Sequence, residues 1–192
     1  MFNIKCRSIF PTDLYFVDIY NQKENESYKT ELLRLSKTEP GNVVSNRNGW
    51  QSDITLWQNE TFKPLLEKSS TIVQSIISDL SPNKPEFVIR SMWGNINPKG
   101  GFNFTHVHPT GWMSAVYYVS IPQGCPGITF EDPRPAKLMD FQSSCLVDNN
   151  YHNHQPQVGQ LVLFPSWLPH LVNPNPTDEN RISISFNIEL LV

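Results

Sequence analysis

The sequence predicts a mainly β fold, a barrel or jelly roll, carried on a layer of N-terminal helices. Three observations point there. From residue 86 onward the chain is a series of short apolar and β-branched runs bounded by Pro, Gly or Asn, with no helical period. Before residue 86, two stretches do carry one. Sixteen prolines against nine glycines imply stiff connections rather than flexible linkers. The 192 residues read as one domain, with 1–85 as an N-terminal strand and helical layer and 86–192 as the β core.

Taken in order, residues 14–20 (LYFVDIY) are short, aromatic and β-branched, which predicts a strand. ESYKTELLRLSK, residues 26–37, has apolar residues at helical spacing and stops before EPG. NGWQSD predicts a turn, with Asn48-Gly49 supplying a permissive backbone. A longer helix is expected over 60–80, its apolar face formed by Leu65, Ile72, Ile76 and Leu80, ended by SPNKP. The strands EFVIRSMWGNI, GWMSAVYYVSI, GITFED, GQLVLFPSW and RISISFNIELLV follow. RISISF alternates polar and apolar residues, as a half-buried strand does.

Composition excludes several function classes. Charged residues are 17% and aromatics 11%, which argues for a packed core and against disorder. The net charge is -3 and Lys and Arg are scattered, so no basic stripe exists to follow a nucleic acid backbone. No stretch approaches the roughly 20 apolar residues of a membrane span. Cys6, Cys125 and Cys145 are odd in number and far apart, so they make neither a disulfide framework nor a CxxC pair. A cytoplasmic setting fits that usage. Oligomeric state leaves no mark on the sequence.

Chemistry concentrates at NFTHVHP, residues 103–109, which holds two of the five histidines. On an extended strand His106 and His108 share a face, giving two teeth of a metal chelate. His170, just after the apolar LVLF run, offers a third tooth from a distant strand, and imidazoles suit Fe, Zn, Cu and Ni. His152 and His154 also read HxH, but sit among Asn, Gln and Pro and are taken as loop residues. Arg181 opens the RISISF strand. A guanidinium there is costly to bury unless it meets an anion, and bidentate capture of a carboxylate suits it. Ser183 faces the same way and adds a hydroxyl.

The runs WGNINPKGGFNFTHVHPTGWMSAVYYVSIP, GITFEDPR and GQLVLFPSWLPHLVNPN…ENRISISFN, with SNRNGWQSD upstream, resemble the 2-oxoglutarate/Fe(II)-dependent dioxygenases. The likeness is to the prolyl-4-hydroxylase-like branch, and closer still to an oxygenase group of marine bacteria and their phages. It covers residues 45–190. The resemblance implies a double-stranded β-helix, a jelly roll or cupin-like barrel flanked by helices, with the metal in its mouth. It also implies Fe(II) as metal, 2-oxoglutarate as cosubstrate, and hydroxylation of an unidentified substrate. By position, His106 and His170 match the two ligand histidines, Arg181 the partner of the far carboxylate of 2-oxoglutarate, and Tyr118 a tyrosine that helps hold it.

The chain departs from that pattern at His108, which stands where the superfamily places a carboxylate. Three readings stay open: ligation by His108 in its stead, an acid supplied by Asp132 of FEDPR, or an open position; ligation by His108 is the favoured one. Asn95 and Asn103 are candidates to contact substrate or a ligand histidine, and Arg134 to reach the mouth from the EDPR loop. Arg90 reads as an outward strand residue, and Trp112 and Trp167 as candidate shields against water or plain packing. Two other classes stay open: a three-histidine dioxygenase that does not use 2-oxoglutarate, and a non-catalytic jelly-roll module, with or without structural zinc.

Overall fold

The computed structural model describes residues 3–135, 139 and 150–191; Cys145 lies outside them. In chain order come β1 (Tyr15–Asp18), α1 (Gln22–Thr38), β2 (Asn46–Arg47), β3 (Trp50–Gln51) and α2 (Lys63–Leu80). Then come β4 (Glu86–Asn97), β5 (Phe102–His106), β6 (Met113–Ser120), β7 (Ile128–Glu131), β8 (Tyr151–His154), β9 (Gln160–Pro165), β10 (His170–Val172) and β11 (Arg181–Leu191).

The chain is mainly β, in two antiparallel sheets. The larger has the order β1-β9-β6-β11-β4-β3 and the smaller β2-β5-β10-β7-β8. Neighbours in each list are far apart in sequence, so every sheet contact that matters here is non-local.

Helix α1 begins earlier than its apolar period suggests. Asn21 caps it by accepting from the Glu24 N–H at 3.1 Å, and the polar first turn QKEN hides the start. In α2 the buried stripe is Leu65, Ser69, Val73, Ile76 and Ile77. Leu80 continues that stripe but is exposed, because it is the last residue of the helix and runs past the core.

The helices pack on one face of the larger sheet, and the main core fills that interface with Tyr28, Leu32, Phe62, Leu65, Met92, Tyr117, Leu161 and Phe186. A second, smaller cluster (Val116, Tyr118, Ile128, Phe130, Val162, Phe164, Leu168) lies between the two sheets. The larger sheet is therefore covered on both faces, and seven of the eight β6 residues are buried. RISISF departs from expectation for the same reason. Arg181, Ile182, Ser183 and Ile184 are all buried, so its polar face looks into the protein rather than into water. Adjacent tyrosines on β6 divide between the two layers: Tyr117 donates to Asn25 of α1 at 3.1 Å, and Tyr118 packs between the sheets.

Close approach of α1 to β4 depends on Gly94. A Cβ there would collide with Leu32, which is fully buried and has no room to swing aside. Gly94→Ala is expected to lower stability by about 1–3 kcal/mol through overpacking. A reduced urea midpoint at unchanged m-value is the measurement.

Among the described residues, no helix is long and apolar enough to cross a membrane.

Candidate metal centre

One cavity between the sheets gathers His106, His108, His170, Arg181, Ser183, Asn95 and Asn103. It holds about 80 Å³. One water needs roughly 10–15 Å³, so there is room for a small acid and little more.

Strand pairing sets the histidines. His170 opens β10 directly opposite His106 on β5. The next paired position is Val172 with Asn103, so β5 spends three residues where β10 spends two. That extra residue is a β-bulge. Phe104 and Thr105 both face out, and Asn103 and His106, three apart, both face the cavity. His108 lies two residues beyond the strand. Its N–H donates to the Ser166 carbonyl at 2.9 Å, and its ring lies between Trp93 (centroids 5.5 Å, 21° between planes) and His170 (5.2 Å, 8°).

The three side chains offer ligating nitrogens within 4.8 Å of one another. Two tautomers follow from the hydrogen bonds. His106 Nδ1 lies 2.7 Å from the Phe104 carbonyl, and His170 Nδ1 lies 3.0 Å from the Leu168 carbonyl. A carbonyl only accepts, so both rings carry their proton on Nδ1 and keep a lone pair on Nε2. Burial disfavours the imidazolium in all three. It holds His106 below its ordinary value; it brings His108 to about 4 and His170 to about 3, with neighbouring His106 adding repulsion in both cases. At neutral pH the cluster is three neutral imidazoles, the protonation state a divalent transition metal needs.

The other half of the cavity is cationic. Arg181, 2% exposed, starts β11, and no carboxylate among the described residues pairs with it. Its guanidinium carbon lies 5.5 Å from the centroid of the Tyr118 ring. Arg181 Nε and the Tyr118 hydroxyl are buried without hydrogen-bond partners. Burial pushes the Tyr118 phenol up to about 12, so it stays a protonated donor. Ser183 lies between Asn95 and Tyr118 in register and is buried. A buried, unpaired guanidinium costs several kcal/mol, and an anion seated against it offsets that cost.

Other expected residues divide. Asn95 lines the cavity; its Nδ2 donates to Ser185 Oγ at 3.2 Å and its Oδ1 is buried without a partner. Asp132 is not brought to the imidazoles. It accepts from Arg134 Nε at 2.9 Å, and both line a separate groove with Phe130 and Trp167. Arg90 is exposed, as read. Trp112 packs on the helix-side core and Trp167 is half exposed; the tryptophan at the site is Trp93. His152 and His154 are not loop residues. They lie on edge strand β8, paired with Phe130 and Ile128, and His154 Nε2 meets Gln160 Oε1 at 2.7 Å. Edge position and outward polar side chains remove the alternation that would reveal that strand.

Sequence reasoning missed Ser45, Gln51 and Trp93, which all line the cavity. Their only signal is that Ser45 and Gln51 fall within SNRNGWQSD and Trp93 within the run beginning WGNIN.

Several solved structures share this fold. A prolyl-4-hydroxylase from Pseudomonas putida is 19% identical, with 93% of each chain covered and a TM-score of 0.68. HygX from Streptomyces hygroscopicus, with nickel, 2-oxoglutarate and hygromycin B bound, is 11% identical over 93% of this chain and 83% of that one, with a TM-score of 0.67. A prolyl hydroxylase from Trichoplax adhaerens, in complex with a hypoxia inducible factor peptide fragment, is 16% identical over 92% and 84%, with a TM-score of 0.63. At these identities the likeness is one of fold. No curated protein matches the chain in sequence. The model of the family described as "Putative 2OG-Fe(II) oxygenase" matches residues 91–187, half of the chain, a span that contains all three clustered histidines, Tyr118 and Arg181. The chain belongs to this family of 2OG-Fe(II) oxygenases.

Proposed function

We propose that the chain is a 2-oxoglutarate-dependent hydroxylase whose Fe(II) is held by His106, His108 and His170. The observation that carries this reading is the pairing, in one cavity, of three neutral imidazoles with a buried guanidinium that has no carboxylate partner among the described residues. The two sheets are the halves of a double-stranded β-helix, with the metal ligands on the smaller half and the anion anchor on the larger.

Fe(II) with its cosubstrate supplies the oxidising chemistry, and the protein supplies binding, orientation and exclusion of water. Arg181 takes the far carboxylate of 2-oxoglutarate, with hydrogen bonds from Tyr118 and Ser183. The phenol serves as a donor because burial keeps its proton on. Carbonyls of Phe104 and Leu168 fix the orientation of the His106 and His170 rings. Trp93 and His170, stacked on either side of His108, fix the third. The fold's relatives hold hygromycin B in one case and a peptide fragment in another, so the fold leaves the substrate open.

Anaerobic titration of the Fe(II)-loaded protein with 2-oxoglutarate is expected to raise the weak visible charge-transfer band of a chelated 2-oxo acid. If iron binds and no band appears, the three-histidine dioxygenase that needs no 2-oxoglutarate replaces this reading. If no iron binds, a non-catalytic module replaces both.

A further inference from the structure

Ser45, from the loop before β2, reaches the metal-facing side of His106. The segment is stitched in place: Asn46, 2% exposed, accepts from the Val44 N–H at 2.8 Å and donates to the carbonyls of Asn42 and Gly49 at 3.0 and 3.2 Å. The Phe104 N–H donates to the Ser45 carbonyl at 3.0 Å. Ser45 Oγ is thereby fixed 3.4 Å from His106 Nε2.

Behind the hydroxyl stands a chain of buried amides. Asn97 Nδ2 donates to Asn103 Oδ1 at 3.2 Å, and Asn103 Nδ2 donates to Ser45 Oγ at 3.1 Å. Asn97 is 1% exposed and Asn103 8%. The direction of this chain is set at its end. His106 has committed its Nδ1 proton to the Phe104 carbonyl, so its Nε2 presents a lone pair. Reversing the amides would turn a lone pair of Ser45 toward that nitrogen. With the amides as they stand, the Ser45 proton has one acceptor within reach among the described residues, His106 Nε2. The bulge in β5 is what lets Asn103 and His106 serve the same hydroxyl, since regular alternation would send residues three apart to opposite faces.

We propose that Ser45 is a positioning residue of the metal site, its hydroxyl capping His106 Nε2 in the metal-free chain and donating to the bound 2-oxoglutarate once a metal takes that nitrogen. The inference rests on the metal reading above. The metal and the hydroxyl compete for one lone pair, and metal binding releases a donor that the Asn97–Asn103 chain holds beside the site. Ser45 thus opposes metal binding and favours the cosubstrate, two effects of opposite sign.

The test measures Co(II) affinity of the metal-free protein by visible absorption, and 2-oxoglutarate affinity of the Co(II)-loaded protein by calorimetry. Ser45→Ala is expected to bind Co(II) roughly threefold to tenfold more tightly and 2-oxoglutarate roughly tenfold more weakly. Ser45→Thr, which keeps the hydroxyl, restores both toward wild type. Asn103→Ala, which frees the hydroxyl from its chain, weakens 2-oxoglutarate binding in the same direction. Loss of both affinities in Ser45→Ala marks a merely structural residue and overturns the proposal, as does no change in either. In both of those cases wild-type binding still upholds the metal reading. Failure of the wild type to bind Co(II) overturns that reading, and this inference with it.

Discussion

Arg181→Leu is expected to leave the cosubstrate-free chain at least as stable as wild type and to abolish its response to 2-oxoglutarate. The guanidinium is buried against Tyr118 with no carboxylate beside it among the described residues, so its desolvation cost is not offset by an ion pair there. An apolar side chain, though shorter, removes that cost, and replacing buried charge by packed carbon is often neutral or stabilising. Binding behaves oppositely. Losing one partner of a buried charge pair costs 2–5 kcal/mol or more, a drop of at least about 30-fold in 2-oxoglutarate affinity. In anaerobic thermal melts of the Fe(II)-loaded protein, cosubstrate at about 100 times its Kd stabilises by about 2.7 kcal/mol. For a chain of this size that is a rise of roughly 5–10 °C. The wild type should show it and the leucine variant should not. A variant whose melting temperature still climbs with 2-oxoglutarate would show that the acid is anchored elsewhere.

The second large effect is expected at His108. Its nitrogen belongs to the cluster within 4.8 Å, yet its ring is held by stacking alone, with no hydrogen bond to either ring nitrogen among the described residues. If it ligates, His108→Ala should weaken Fe(II) binding by roughly 100-fold to 1000-fold, the share of one ligand in a metal-binding free energy of the usual size. His108→Asp should restore most of that affinity, because it recreates a two-histidine, one-carboxylate set from the same backbone position. Normal Fe(II) affinity in the alanine variant would reduce the protein's contribution to His106 and His170. Direct titration under anaerobic conditions reads all three proteins.

Local regularity decided what could be read from the chain. The β core and both helices were legible because apolar period and Pro/Gly punctuation are local signals. The cluster of His106, His108 and His170 was legible through alternation along one strand and an apolar run before the third histidine. Arg181 was legible because a cation in an apolar alternating strand conflicts with its surroundings. What stayed hidden is non-local. Ser45 enters through the pairing of β2 with β5, between residues 46–47 and 102–103, which nothing in either segment announces. Asn103 was named as a candidate, but the face it shares with His106 comes from a bulge, which breaks the parity rule that found the histidines. Asp132 is a different case: its partner Arg134 is only two residues away, and such a local pair leaves the carboxylate readable either as a ligand or as half of a turn. Leu80 was placed on the buried face because a helical period gives the side of the helix that docks and not how far along the helix the core extends.

The division of the site between two sheets has a consequence for how the protein matures. The imidazoles project from β5, from the residues just beyond it and from β10, and the guanidinium and phenol from β11 and β6. His106 and His170 are 64 residues apart, and Tyr118 and Arg181 are 63 apart. Residues 106–118 carry two imidazoles and the phenol, and residues 170–181 the third imidazole and the guanidinium, so neither short piece holds a complete metal site or a complete anion site. A nascent or half-assembled chain can neither sequester iron tightly nor seat the acid, so the reactive pair meets only inside a finished molecule. Catalytic competence then becomes a late checkpoint on assembly, and free intermediates carry no oxidising metal to damage themselves.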